Sequence, residues 1–290
     1  MTNSSSLYLT GLRGNFSFLT QEKNNNLPKW TKSSIKKTQT IKKLVYIISS
    51  GLTSLILTES GKVWSLANRN RFKEVPLLDA DQSTFEKIRP VTFFEEKKLF
   101  VNSIAMGYGS CYYLCNGDQL YASGSNADGR LGTVKKKREE PMPVSAQDKV
   151  TKIFTGIHAS GFFFVTSKPD RLYACGRNQD GELGIDHNSL HRWVPAAVKN
   201  FKGSEILTVS SGRSHSVLIT NEGQTYSCGR QIANGYVARK KFFTLIPQLK
   251  EKKAVQLATG STQTLVLTDQ NELYGWGFDK NLYPIDEFIT

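Results

Sequence analysis

No stretch of the 290 residues approaches the roughly 18 consecutive apolar residues that a membrane-spanning helix needs, so no transmembrane segment is expected. The first ten residues, Met1 to Thr10, are polar and lack the hydrophobic core of a secretory signal. Cysteine is scarce: four residues are too few for a disulfide framework. An intracellular, reducing compartment, cytoplasmic or nuclear, is therefore expected. Chemistry-bearing motifs are missing as well. The chain has no G-x-x-x-x-G-K-[ST], no H-E-x-x-H and no G-x-S-x-G, hence no phosphate loop, zinc helix or nucleophile elbow. No catalytic residue, metal ligand or cofactor is expected.

What the chain has is repetition. A short strand ending in Gly recurs as Leu7-Tyr-Leu-Thr-Gly11, Leu120-Tyr-Ala-Ser-Gly124, Leu172-Tyr-Ala-Cys-Gly176, Thr225-Tyr-Ser-Cys-Gly229 and Leu273-Tyr-Gly-Trp-Gly277. Val63-Trp-Ser-Leu-Ala67 is a weaker copy. Upstream of five copies stands a second glycine mark, at Gly51, Gly107, Gly156, Gly212 and Gly260. Downstream of all six stands a proline, at 28, 90, 143, 195, 247 and 284. Three marks in one order, spaced by about 50 residues, define a repeat architecture.

The marks order four strands, a to d. Strand a runs into the first glycine, and strand b is a solid apolar run such as Phe162-Phe-Phe-Val165 or Val217-Leu-Ile219. A hairpin turn leads to the aromatic strand c. Strand d carries the proline, which lacks a ladder donor and belongs on an edge. Solid apolar runs are strands covered on both faces, as in radially stacked blades. The expectation is an all-β fold, a β-propeller of about six four-stranded blades forming one domain over 1–290. Its units fall at about 7–32, 45–93, 102–146, 151–198, 206–250 and 254–288. The first supplies only strands c and d. Either the chain is a piece of a longer protein, or that blade is a half blade.

Some of these residues resemble a known family. Ser210-Ser-Gly-Arg-Ser-His-Ser-Val-Leu-Ile-Thr220, followed by Gly223 to Gly229, is similar to a regulator-of-chromosome-condensation repeat. So are Leu120 to Gly132 and Leu172 to Gly184. The family's histidine after the first glycine survives only at His215, and the matching positions hold Ser54, Ser110, Ala159 and Gln263. The resemblance implies a propeller closed by pairing of its terminal strands. It also implies a candidate activity, guanine-nucleotide exchange on a small GTPase. The only large insertion that such an activity would use is 69–88, where Asp79 and Asp81 supply acids.

Other residues have plainer readings. Asn126-Ala-Asp-Gly129 and Asn178-Gln-Asp-Gly181 lack the spacing and closing Glu of a calcium loop and read as Asx-stabilised turns. Cys175 and Cys228 occupy one repeated small slot before the blade glycine, and Cys111 and Cys115 share a strand face, so structural roles are expected. His215 is expected to hydrogen-bond its own turn.

Charge remains. The net charge is +13, which favours acidic partners. In an up-and-down blade the c–d loops and a–b turns emerge on one face of the disc. Ten of the twelve arginines map there, among them Arg13, Arg69, Arg130, Arg177, Arg213 and Arg230. Arginine binds carboxylate and phosphate bidentately and concentrates at interface hot spots. The expected function is a non-enzymatic, monomeric interaction platform that docks an acidic protein through exposed arginines. Exchange on a small GTPase is the alternative, and nucleic acid or chromatin is a further candidate partner.

Overall fold

In the computed structural model of the chain, the residues described are 8–10, 17–19, 44–50, 53–67, 89–134, 137–146, 148–156, 158–159, 161–185, 190–230, 239–277 and 283–284. The strands follow the repeat marks. β1 (Tyr8–Thr10) and β2 (Ser17–Leu19) form a two-stranded sheet, blade one. Blade two is β3 (Leu44–Ser50), β4 (Thr53–Thr58), β5 (Val63–Ala67) and β6 (Arg89–Pro90). A one-turn helix, α1 (Phe93–Glu96), leads into blade three: β7 (Val101–Gly107), β8 (Ser110–Cys115), β9 (Gln119–Ser125) and β10 (Lys137–Pro143). Blade four is β11 (Val150–Phe154), β12 (Gly161–Ser167), β13 (Asp170–Arg177) and β14 (His191–Ala197). Blade five is β15 (Ile206–Ser211), β16 (His215–Thr220), β17 (Thr225–Gly229) and β18 (Lys240–Leu245). Blade six is β19 (Ala254–Thr259), β20 (Thr264–Thr268), β21 (Leu273–Trp276) and β22 (Tyr283–Pro284).

Blades two to six are each a four-stranded antiparallel meander in the order a–b–c–d. The propeller therefore has five full blades and a two-strand first blade among the described residues, close to the six units read from the repeats. Pro90, Pro143, Pro195 and Pro284 stand on the outermost strands, where a missing N–H breaks no ladder. Every residue of β4, β8 and β16 is buried, as expected for strands sandwiched between neighbouring blades.

Packing between blades makes the core. Tyr112 of blade three lies flat on Phe162 of blade four, with ring centroids 3.7 Å apart and an interplanar angle of 2°. Phe163 and Val165 of blade four pack against Ile206, Val209 and Leu218 of blade five. Val217 and Ile219 of blade five pack against Ala254 and Val266 of blade six. Burying side chains of this size contributes roughly 1.5–3 kcal/mol each, so these seams carry much of the stability.

The glycine mark allows the inner strands to approach. A β-carbon built on Gly156 would overlap the backbone of Ser211 in the next blade, and one on Gly212 would overlap the carbonyl of Gly260. Gly156, Gly212 and Gly260 thus hold equivalent positions around the axis. The five inner strands β3, β7, β11, β15 and β19 surround a central cavity of about 720 Å³.

Candidate interaction face

The two rims of the disc differ in how their charges are satisfied. On the rim of b–c turns and d–a connections, three lysines pair with carboxylates. Lys62 bonds Glu95 at 3.1 Å, Lys149 bonds Asp118 at 3.2 Å, and Lys252 bonds Glu272 at 2.6 Å. On the opposite rim, the carboxylates of the described c–d loops are Asp128, Asp180 and Glu182. Each is met by an arginine of its own loop.

Those two loops are built alike. Asn126 Oδ1 accepts from the Leu131 amide at 2.8 Å, and Asn178 Oδ1 accepts from the Leu183 amide at 3.2 Å. The Asx-turn reading therefore holds, and the asparagines shape the loop by bonding its backbone. Arg130 and Glu182 then fall in equivalent slots, and both are buried. The Arg130 guanidinium donates to the Tyr108 carbonyl and pairs with Asp128. Burial pushes the Glu182 carboxyl above the usual carboxylate range, while Arg177, 3.6 Å away, pulls it back. The backbone carbonyls of the same two residues accept from Cys175 Sγ at 3.5 Å and Cys228 Sγ at 3.4 Å in the following blade. The repeated cysteine is thus a stitch between blades. Burial pushes the Cys175 thiol up to about 12, which leaves it inert as a nucleophile.

This corrects the expectation that the arginines are uniformly exposed. Arg130 is 5% exposed and holds its own loop. Arg177 ends strand β13, bonding Gln179, Asp180 and, at 2.9 Å, the Arg213 carbonyl of the next blade. Arg138 and Arg192 lie in strands β10 and β14, not in loops. Arg13 and Arg69 lie outside the described residues, as does the 69–88 insertion. Arg213 and Arg230 remain exposed. The Arg213 amide donates to Ser261 O at 2.9 Å, and the Arg230 amide donates to Ser214 O at 2.8 Å. Arg213 thus stands in the a–b turn of blade five and Arg230 at the start of its c–d loop, the two connections being joined by the Arg230–Ser214 bond. Neither guanidinium meets a carboxylate among the described residues. Arg239 is also exposed, but its guanidinium is tied to the Gln179 and Asp180 carbonyls.

His215 does not serve its own turn as expected. Its Nε2 meets Thr264 Oγ1 of blade six at 2.8 Å, while its ring packs on Gly212 and its Nδ1 is buried without a partner. Burial lowers its pKa from 6.5 to about 4. A neutral buried histidine favours the folded state above its unfolded pKa, and that contribution fades as pH falls from about 6.5 to about 4. Unfolding free energy should drop by about 3 kcal/mol across that window. His215→Gln should remove this part of the slope, because Gln263 already fills the equivalent place in blade six. An unchanged slope in chemical unfolding between pH 4 and 6.5 would refute the assignment.

Among the described residues, no group of three or more His, Cys, Asp or Glu side chains is placed to hold a metal ion. No helix among them is long and apolar enough to cross a membrane.

The sequence profile of the Regulator of chromosome condensation (RCC1) repeat matches residues 169–219. The RCC1 domain-containing protein RUG3, mitochondrial, of Arabidopsis thaliana is 30% identical over 163 residues, 54% of this chain and 34% of that protein. The secretion-regulating guanine nucleotide exchange factor of Mus musculus is 24% identical over 192 residues, 62% of this chain and 41% of that protein. The chain thus spans less than half the length of either relative. Among solved structures, Prp20p from Saccharomyces cerevisiae superposes with a TM-score of 0.68 at 18% identity, over 94% of this chain and 66% of that one. That structure is described together with the binding of Prp20p to Gsp1p and histones.

Proposed function

Because the chain is an RCC1-like β-propeller, we propose that it works as a non-enzymatic interaction platform that docks an acidic protein on the c–d face through Arg213 and Arg230. The supporting observation is the contrast between rims. On one rim Lys62, Lys149 and Lys252 are met by neighbouring carboxylates, whereas the other presents two arginines with no described counter-charge. Arginine in that state is desolvated cheaply and gains a bidentate bond from a carboxylate.

The second reading, exchange on a small GTPase, rests on the mouse relative's name. It uses the same face and predicts accelerated nucleotide release.

The test is the double reversal Arg213→Glu with Arg230→Glu, compared with Lys149→Glu and Lys252→Glu on the other rim. Loss of either interface arginine is expected to weaken binding by about 1–2 kcal/mol or more, so the arginine pair should remove detectable capture of the partner. The lysine pair should leave it intact. Equal weakening by both, with a steep salt dependence, would instead mean a diffuse electrostatic partner such as nucleic acid. A nucleotide-release assay on candidate GTPases separates platform from exchange factor.

A further inference from the structure

Blades four and five hold each other by arginines that reach in opposite directions. Arg177, at the end of β13, donates from Nη1 to the Arg213 carbonyl of blade five at 2.9 Å. Arg239, just before β18, reaches back to blade four. Its Nε donates to the Asp180 carbonyl at 2.9 Å and its Nη2 to the Gln179 carbonyl at 2.6 Å. The blade-four loop between them is seated closely: a β-carbon on Gly181 would stand 2.8 Å from Lys241 Cα of β18. The seam between blades three and four holds other residues in these places. By strand register, Ser125 stands where Arg177 does and His191 where Arg239 does.

Arg177 is fully engaged in this seam. Its Nη2 meets Asp180 Oδ2 at 3.1 Å and Gln179 Oε1 at 2.8 Å, and its Nη1 is 3.6 Å from Glu182 Oε1. Its charge is therefore met by two carboxylates of its own loop. Arg213 is the reverse. Its backbone is pinned from both neighbouring blades, the carbonyl by Arg177 and the amide by the Ser261 carbonyl of blade six at 2.9 Å. Its side chain is exposed. A turn already fixed at both backbone polar groups loses little further freedom on binding, and such pre-organisation raises affinity.

We propose that Arg177 is a positioning residue of the docking face: it fixes the turn that presents Arg213, and Arg239 holds the loop from which Arg177 acts. The proposal rests on the docking reading above and adds to it the residues that set its geometry. Arg177 acts through Arg213 and does not itself bond the partner. Lysine in its place keeps the charge but offers one ammonium. That group cannot serve Gln179, Asp180 and the Arg213 carbonyl together, as the planar fork of arginine does.

Fluorescein-labelled hexaglutamate, followed by anisotropy at low ionic strength, is the probe. Arg177→Lys should weaken its binding by about threefold to tenfold although no charge is lost. Lys149→Gln, which removes a charge from the opposite rim, should change it by less than about twofold. In an Arg213→Gln background, Arg177→Lys should have no further effect, which separates action through Arg213 from general support of the fold. Hydrogen exchange reads the turn directly. The Arg213 amide should exchange at least about tenfold faster in Arg177→Lys, while the Leu131 amide of blade three keeps its rate and reports an intact propeller. Arg239→Lys should move both readouts in the same direction. Unchanged binding and exchange in Arg177→Lys overturns the proposal. Equal loss of binding in both backgrounds also overturns it and makes Arg177 a contact in its own right. Faster Leu131 exchange in both lysine variants overturns it too, by reducing the pair to support of the fold. If the unaltered protein does not bind hexaglutamate, the docking reading falls, and the exchange rates alone decide whether Arg177 fixes the turn.

Discussion

Alanine at position 156 is expected to destabilise the protein by about 3–5 kcal/mol, at the severe end of single substitutions. The new methyl group would overlap the Ser211 carbonyl and backbone of the next blade. Two backbones cannot yield as a flexible side chain can, so the inner strands of blades four and five must move apart. That movement opens the seam in which Phe163 and Val165 meet Val209 and Leu218. Gly117→Ala is the matched control. Gly117 sits at φ +80° with nothing within 4 Å of a built β-carbon, so only the left-handed backbone cost of about 1 kcal/mol remains. Urea unfolding of both variants checks the difference. Equal midpoints would mean that close approach of inner strands is not what the repeated glycine provides.

The fold was legible because propeller geometry writes each constraint into every blade. Gly156 and Gly212 recur where inner strands touch, the solid runs of β12 and β16 recur where both faces are covered, and Pro143 and Pro195 recur on outer edges. A repeat averages away accidents of any single blade. The two-stranded sheet of β1 and β2 likewise begins within Leu7 to Gly11, which carries the third-strand mark.

The candidate face was legible only in part. Position on a loop locates a side chain but says nothing of what it bonds, and long cationic side chains fold back onto polar backbone readily. Arg130 turns inward to the Tyr108 carbonyl, and Arg177 spans two blades, while Arg213 and Arg230 stay out. One signal was available: equivalent slots hold Arg130 in one blade and Glu182 in the next. A solvated position tolerates such a reversal silently. A buried one needs its counter-charge to change with it, and the neighbouring slot indeed holds Ser125 in one blade and Arg177 in the other. His215 was misread for a different reason. Its partner Thr264 is 49 residues away, a contact that a turn-local reading cannot reach.

That paired slot supports the second large effect. Arg130→Glu should destabilise the protein by about 3–5 kcal/mol, the range for breaking a buried ion pair by altering one partner. The new carboxylate would be buried beside Asp128, and the Tyr108 carbonyl would lose its donor. Arg213→Glu, on the same face but exposed, should shift stability by about 0.5 kcal/mol or less. The decisive arm is rescue. Blade four already accommodates a buried Glu at this slot, because Arg177 stands opposite it alongside Asp180. Blade three has Asp128 in the place of Asp180 but Ser125 in the place of Arg177. Adding Ser125→Arg to Arg130→Glu therefore rebuilds the arrangement of blade four in blade three, and should recover more than half of the lost stability. Ser125→Arg in the unaltered background should bring no gain, since it would place a second guanidinium beside Arg130. Thermal unfolding of the two single variants and the double variant measures this coupling as a double-mutant cycle. A coupling energy near zero would mean that the two loops are alike in sequence only, and that Arg130 is held by something other than its own loop's charge.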